Sequence, residues 1–486
     1  MQSTLTKELD RLFHPASMAH VGASDRENVG RFNFTEYFLK MKFPGRIYPV
    51  NPKYQEVLGL PCYPTLADIP GEVDLAYISV PAALSVKVLQ DCPPGKLRFA
   101  VIHTSGYGEI GKEDLEQELL QEARQRGIRL IGPNCMGIYS QEGRIGCWRS
   151  HHEIVEHKGS VGFISQSGGH ALDLLQGGPD SDIFFNKAVS LGNQLDLSIN
   201  DFLEYMGADP AIRVIGAYIE DVRDGRKFTE LVRRITPEKP VIVWKGGITA
   251  RGKAAAITHT GSLAGNERIF ASALQQVGGI LVTSLEEFRR VARLLQPEYM
   301  PAGRLLAVLS PGGGNTVSIC DHFASRPFLS LPRLTPETER RLRQLLPEEN
   351  VDVANPVDPG ATGLAHFREL LDAVAGDPNI DTLLFVLHVE FMEEIKDENM
   401  RFAVSRMMAK EFGRINSKGK PMIILLRQLR QNHERLDSYR RLVLKDLHER
   451  GVPWVDGGFE DIAPVIEKIA MWRTYRERMA KAGTER

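Results

Sequence analysis

The stretch Ala256 to Gly265, AITHTGSLAG, holds one histidine among residues too small to pack against it, with no second His, Cys or Asp at metal-ligand spacing. His259 is therefore read as a group that works on a ligand, and no metal site is expected. The alternative, a histidine that simply sits on a solvated loop, fits the stretch taken alone. A carboxylate changes the balance: Glu220, at the strand end AYIED, could accept a hydrogen bond from one ring nitrogen and leave the other neutral and nucleophilic. A neutral imidazole nitrogen attacking a phosphoryl group gives a phosphohistidine. Such covalent catalysis divides one difficult transfer into two easier ones.

The charge on that phosphoryl group needs a cradle, and GFISQSGGH reads as strand, small-residue turn and helix. Its Ser165, Ser167, Gly168 and Gly169 supply hydroxyls, backbone amides and the positive end of a helix dipole, with no lysine required. With Gly261 of the histidine loop they are the phosphate-binding candidates. A hydroxyl-rich turn at a helix start also serves as an ordinary N-cap.

A second set of candidates lies near the N-terminus. VGASDRENVG follows a strand and is expected to open a helix, so that Gly22, Ala23 and Ser24 face an anion. A tight turn that needs glycine explains the same residues. A dinucleotide site would place Asp or Glu at the end of the following strand. RIYPVNPKY instead ends in Asn51, Pro52 and Lys53, which argues for a phosphorylated ribose or another anion and against NAD. Val80 and Pro81 of ISVPA, Thr104 and Ser105 of HTSGYGE, and Asn134 of the turn GPN fall at further strand ends, where ligands of open α/β sheets bind.

The elements that must position these groups alternate from end to end: apolar runs such as MAHVGAS, VDLAYISVP and FAVIHTSG are each followed by an amphipathic stretch. That is the pattern of doubly wound parallel sheets, and 486 residues exceed one core. Three α/β domains are expected, at 1–148, 149–300 and 301–486. The last two resemble each other: SQSGG matches SPGGG at Ser310, DPAIRVIGAYIE matches DPNIDTLLFVLH, and KPVIVWKGG matches KPMIILLRQ. In that duplication His388 falls opposite Glu220 and Leu426 opposite Lys245. The third domain is expected to keep the architecture and lose the polar set.

Composition excludes other classes. With 60 basic and 62 acidic residues and no interleaved basic and aromatic run, nucleic acid is not an expected partner. No apolar run reaches the ~18 residues of a spanning helix, and a cytoplasmic protein is expected. Cys62, Cys92, Cys135, Cys147 and Cys320 are scattered and odd in number, which implies reduced thiols.

The ordered set VGAS, YPVNPK, GLPCYPTLADIP, VDLAYISVPA, IRLIGPNCMGI, SQSGG, SLGNQLD, DGRKF, KGG, HTGSLAG and NPVDPG resembles the α subunit of the NDP-forming acyl-CoA synthetases of the acetate–CoA ligase (ADP-forming) type, relatives of succinyl-CoA synthetase. The resemblance covers nearly the whole chain. It implies a Rossmann-like domain that binds coenzyme A, with Gly22, Ala23, Ser24, Lys53, Val80, Pro81, Thr104, Ser105 and Asn134 as its contacts, followed by two flavodoxin-like domains. It implies that His259 carries a phosphoryl group between an acyl phosphate and a nucleoside diphosphate, and that Glu220 orients it. The reaction would interconvert acyl-CoA, phosphate and NDP with a carboxylic acid, CoA and NTP. No ATP-grasp nucleotide domain is found in the sequence, so ATP or ADP and Mg2+ are expected on a separate β subunit in a hetero-oligomer. That same lack motivates a second reading, a non-catalytic CoA- or acyl-CoA-binding regulator or scaffold. A third reading, an NAD(P)-dependent oxidoreductase, rests on the Rossmann pattern alone.

Overall fold

The structure is a computed structural model and describes residues 4–25, 32–148, 151–249, 251–252, 267–296, 303–346, 353–360, 363 and 365–484. The chain divides into two compact units, Met1–Phe288 and Arg289–Arg486.

The first unit contains two sheets. In the first, β1 (Ser17–Val21), β2 (Arg46–Val50), β5 (Val73–Ile78), β6 (Leu97–Ile102) and β7 (Arg129–Ile131) run parallel in the order β2-β1-β5-β6-β7, and a two-stranded hairpin of β3 (Glu56–Val57) and β4 (Leu60–Pro61) follows β2. Tyr63 makes a single parallel bridge to Val50. Counting that bridge as a vestigial third strand gives the order 3-2-1-4-5-6 of dinucleotide-type sheets. The strands are almost continuously apolar because helices cover both faces.

The second sheet holds β8 (Gly137–Ser140), β9 (Val161–Ser165), β10 (Phe185–Ser190), β11 (Val214–Ile219), β12 (Val241–Lys245) and β13 (Ile280–Val282), in the order β13-β12-β11-β9-β10-β8. Its five parallel strands follow the flavodoxin-like order, whose switch point falls between β9 and β11, and β8 adds an antiparallel edge. The turn Gly132-Pro133-Asn134 joins the sheets: Gly132–Pro133 is a cis bond, Asn134 has φ 60°, and Asn193 and Leu195 after β10 donate to the Pro133 and Gly132 carbonyls at 3.0 and 2.9 Å.

In the second unit β14 (Leu306–Leu309), β15 (Thr382–His388), β16 (Met422–Arg427) and β17 (Trp454–Asp456) form one parallel sheet, with parallel bridges from Leu305 to Ser330 and from Leu309 to Val357 standing where a further strand would run. The flavodoxin-like reading of the repeat holds. At this sheet's carboxyl edge a different polar set stands: Arg427 Nη1 donates to Asn315 Oδ1 at 3.3 Å, His388 Nε2 lies 3.4 Å from Asn315 Nδ2, and Asp358 accepts from the Gly312 amide at 3.1 Å. No helix among the described residues is long and apolar enough to cross a membrane.

One buried group makes the first unit sensitive to acid. His151 is fully buried against Tyr139, with Nδ1 facing the Cys147 amide at 3.3 Å and no hydrogen-bond partner for Nε2 among the described residues. Burial lowers its pKa from 6.5 to about 3. The unfolded chain therefore takes a proton near pH 6.5 that the native state refuses, and stability is lost progressively from there toward pH 3. At pH 5 this site costs about 2 kcal/mol. Denaturant unfolding of wild type and His151→Gln at pH 7 and 5 checks it: the variant's stability should fall less on acidification by that amount, and parallel profiles would reject the assignment.

Candidate active site

The first candidate pocket forms where β1 and β5 diverge at the carboxyl edge of the first sheet. Gly22, Lys53 and Val80 line a cavity of about 350 Å³ together with Asn51, Thr65, Leu66, Leu84 and Lys87. Gly22 has φ +98°, and an added Cβ would sit 2.9 Å from Ser79 Oγ and 3.2 Å from Val80 Cγ1, so only glycine lets the turn close against β5. Asn51 holds the two walls together: its Nδ2 donates to the Ala23 carbonyl at 2.8 Å and its Oδ1 accepts from the Lys53 amide at 3.0 Å. Lys53, and Lys87 paired with Asp91 at 2.6 Å, stand at the rim of a mainly apolar cavity, which suits a ligand that is part ring and part phosphate.

Gly22 to Asp25 are not helical, and residues 26–31, where the expected helix would continue, lie outside the described residues. The next described helix is Phe34–Lys40, capped by Asn33, whose Nδ2 donates to the Ser24 carbonyl at 3.1 Å. The Gly22 amide donates to the Val50 carbonyl, which removes it from the anion-binding role expected of it. Pro81 caps the helix Ala82–Gln90 with its carbonyl. Thr104 Oγ1 donates to the Val80 carbonyl at 2.9 Å, while Ser105 is exposed. Asn134 donates its amide to the Thr104 carbonyl at 3.1 Å. The sequence did not single out the tie between sheets beside them: Asn193 Nδ2 donates to Glu109 at 2.7 Å and to Glu116 at 2.9 Å, and Glu109 also accepts from the Gly106 and Tyr107 amides. Burial raises the Glu109 carboxyl, but these three donors together with its own backbone amide hold it below the usual carboxylate range, whereas burial and the neighbouring Glu109 push Glu116 up.

The second candidate site lies at the β9–β11 switch point. Ser165 Oγ donates to the Ser167 carbonyl at 2.6 Å and accepts from the Ser167 amide at 3.1 Å, and Ser167 caps the helix Gly168–Gly177 by accepting from the His170 amide at 3.4 Å. Both hydroxyls thus serve the turn. An anion can still meet the Ser167 O–H and the helix N-terminus at Gly168 and Gly169, where among the described residues Ser167 Oγ alone, apart from the helix's own backbone, lies within 4 Å of a Cβ added at Gly169.

Gln166 ties this turn to Glu220: its Oε1 accepts from the Glu220 amide and from the Asp221 amide, the latter at 2.9 Å. Glu220 is 5% exposed, and Tyr218 hydrogen-bonds to its carboxylate; burial and that charge push the phenol well above its ordinary range. Lys245 Nζ donates to the Glu220 and Gly246 carbonyls at 2.8 and 2.5 Å, fixing the ends of β11 and β12. His170 packs edge-on to Tyr218 at 4.5 Å and against Trp244 at 4.4 Å. His259 and Gly261 lie outside the described residues, so the structure brings together Ser165, Ser167, Gly168, Gly169 and Glu220. No spacing in the sequence marks Gln166, Tyr218 or His170, although Gln166 stands inside the quoted turn. Among the described residues no cluster of three or more His, Cys, Asp or Glu is placed to hold a metal ion.

Comparison with known proteins adds an independent line. Residues 16–141 match the model of a CoA binding domain, and residues 158–295 that of a succinyl-CoA ligase like flavodoxin domain. The chain is 38% identical to acetate–CoA ligase (ADP-forming) I of Archaeoglobus fulgidus over 78% of its own length and 55% of that protein's. It is 37% identical to the α subunit of acetate–CoA ligase (ADP-forming) II of Pyrococcus furiosus, over 78% of this chain and 82% of that one. It thus spans about half the length of the Archaeoglobus relative and most of the Pyrococcus subunit. The dinucleotide-forming acetyl-coenzyme A synthetase 1 of Ca. Korarchaeum cryptofilum, solved with phosphate and ADP, superposes with TM-score 0.81 at 28% identity, covering 98% of each chain.

Proposed function

The chain belongs to the family of the ADP-forming acetate–CoA ligases, and from that premise we propose that it is the CoA-binding, phosphohistidine-bearing part of an NDP-forming acyl-CoA synthetase. The observation that carries the reading is one compact unit with a lysine-rimmed cavity at one sheet's carboxyl edge and, at the next sheet's, a helix N-terminus tied through Gln166 to buried Glu220. In the proposed cycle phosphate attacks the acyl-CoA carbonyl, the C–S bond breaks, and CoA and acyl phosphate form. His259 then takes the phosphoryl group, releasing the acid, and passes it to NDP. Glu220 orients the imidazole and stabilises the cation that develops on it, and the amides of Gly168 and Gly169 face the phosphoryl oxygens. Lys53 and Lys87 meet the CoA phosphates.

Residues 1–148 are the CoA domain in this reading, 149–300 carry the phosphohistidine loop, and 301–486 are a repeat without the nucleophile. Nucleotide and Mg2+ bind an ATP-grasp β subunit, and the complex works in the cytoplasm. The test mixes the purified chain with an ATP-grasp protein encoded beside it, γ-labelled ATP and magnesium. Acid-labile, base-stable phosphate on this chain is the expected result. Tight CoA binding with no label under any such partner would replace this reading by a non-catalytic CoA-binding role.

A further inference from the structure

A residue that no motif singled out joins the two halves of the site. The His103 amide extends the β6 ladder by donating to the Ile78 carbonyl at 3.1 Å, which sets the residue at the carboxyl edge of the first sheet. On one side is Thr104, whose hydroxyl binds the carbonyl of Val80 in the cavity wall. On the other, His103 Nδ1 lies 2.8 Å from the Cys135 carbonyl, and the next residue, Met136, packs so closely on Gly168 that an added Cβ there would be 2.6 Å from Met136 Cγ. Contacts therefore run without a break from the cavity through Val80, Thr104, His103 and Met136 to the helix N-terminus at Gly168. The thiol of a bound CoA must cross that path to reach an acyl group activated by phosphate.

The protonation state of His103 is set by its partner. A carbonyl oxygen only accepts, so Nδ1 carries the proton and Nε2 keeps its lone pair. The half-buried ring is held edge-on by Phe32 at 4.5 Å and Phe34 at 5.0 Å. Burial lowers its pKa below the ordinary 6.5, against the opposing hydrogen bond to Cys135, so the base is neutral at physiological pH. Among the described residues, the titratable groups around it are the Cys135 thiol, pushed up to about 12 by burial, and, across Phe34, His20 and Tyr77, and no carboxylate or cation shifts it.

We propose that His103 Nε2 is the general base for the thiol of CoA in acyl transfer, a role that rests on the acyl-CoA synthetase reading above. Nε2 takes the thiol proton as sulfur bonds to the carbonyl carbon of an acyl phosphate; the carbon–oxygen bond to phosphate then breaks and phosphate leaves toward the Gly168 helix. In reverse, a phosphate oxygen attacks the thioester, the C–S bond breaks, and protonated His103 returns the proton to sulfur. Atoms and charge balance with no further reagent.

The test uses the chain assembled with its ATP-grasp partner, and compares wild type with His103→Asn and His103→Phe. CoA release with phosphate is followed from acetyl-, butyryl- and benzoyl-CoA across pH 5 to 9, beside CoA affinity and labelling from γ-labelled ATP. Turnover of the preferred thioester should fall about 100-fold in both variants, the usual weight of a general base. In this CoA-releasing direction His103 must start protonated, so the alkaline limb of the wild-type kcat/KM profile, where activity falls as pH rises through its pKa, should vanish in His103→Asn, while CoA affinity and ATP labelling stay unchanged. Turnover within threefold of wild type, an unchanged alkaline limb, or a parallel loss of ATP labelling, which would mark a structural role, overturns the proposal. If wild type itself takes no label and turns over none of the three thioesters, the synthetase reading fails and His103 falls with it.

Discussion

His259→Ala should leave a folded chain that binds CoA and takes no phosphate at all from ATP and an ATP-grasp partner. The expectation rests on the lack of a substitute nucleophile at the described edge. Ser165 and Ser167 spend their hydroxyls on their own turn, at 2.6, 3.1 and 3.4 Å. His170 stands nearest by sequence, but its ring is wedged between Tyr218 and Trp244, and its Nδ1 lies 3.7 Å from the Asp173 carboxylate. Label should thus persist in His170→Ala and vanish in His259→Ala. Glu220→Gln should give the intermediate result, labelling slowed by about 100-fold, because the amide keeps the Tyr218 and Gln166 geometry but no longer stabilises an imidazolium. Phosphopeptide mapping of the three variants decides. Label retained in His259→Ala, or moved to His170, would remove the central step of the proposed cycle.

The sequence made much of this arrangement legible, for a physical reason: strands buried on both faces are unbroken apolar runs, and ligand-facing groups sit where those runs stop. VDLAYI stops two residues before Val80, VIGAYI one residue before Glu220 and VIVWK at Lys245, so reading the stops located the edge of each sheet. The rigid turn at Gly132-Pro133-Asn134 was equally visible, because proline and an asparagine at positive φ leave few alternatives. What stayed hidden is everything fixed by partners far apart in the chain. Asn193 meets Glu109 across 84 residues, and His103 meets Cys135 across 32. Neither pairing leaves a local periodicity. At VGAS the sequence leaves two readings open for a related reason: a glycine needed for close packing on Ser79 and Val80 has the same local signature as one that opens a helix toward an anion. In the third domain the comparison of repeats showed which groups differ but not that Asn315, His388 and Arg427 meet as a set of their own.

Lys187 is a case of hidden pairing with a large energetic consequence. Its side chain lies on β10 and is 1% exposed, and its three ammonium protons meet Asn186 Oδ1 and Asp209 Oδ2 at 2.8 Å each and Glu142 Oε2 at 3.4 Å. The cation thereby ties β10 to the turn after β8 and to the end of the helix Ile199–Ala208. Nearby, Tyr205 donates to Asp10 at 3.2 Å, and burial with the charges of Asp209 and Asp10 pushes its phenol far up. Replacing Lys187 by Met keeps the apolar stem but leaves the largely buried Asp209 carboxylate without its ammonium partner, while the more exposed Glu142 keeps His14 at 3.4 Å. Removing one partner of a buried pair costs about 3–5 kcal/mol, because the other charge stays desolvated. The unfolding midpoint of the variant should therefore fall by roughly 10 °C on the scale usual for units of this size. Adding Asp209→Asn should recover a good part of that loss, since the amide can still accept from the Ala211 amide as Asp209 does at 2.9 Å, and one stranded charge disappears. Calorimetry of the two variants separates the causes. Full recovery in the double variant assigns the cost to the unpaired carboxylate, whereas equal losses would mean that the packing of the lysine stem, not its charge, holds β10 in place.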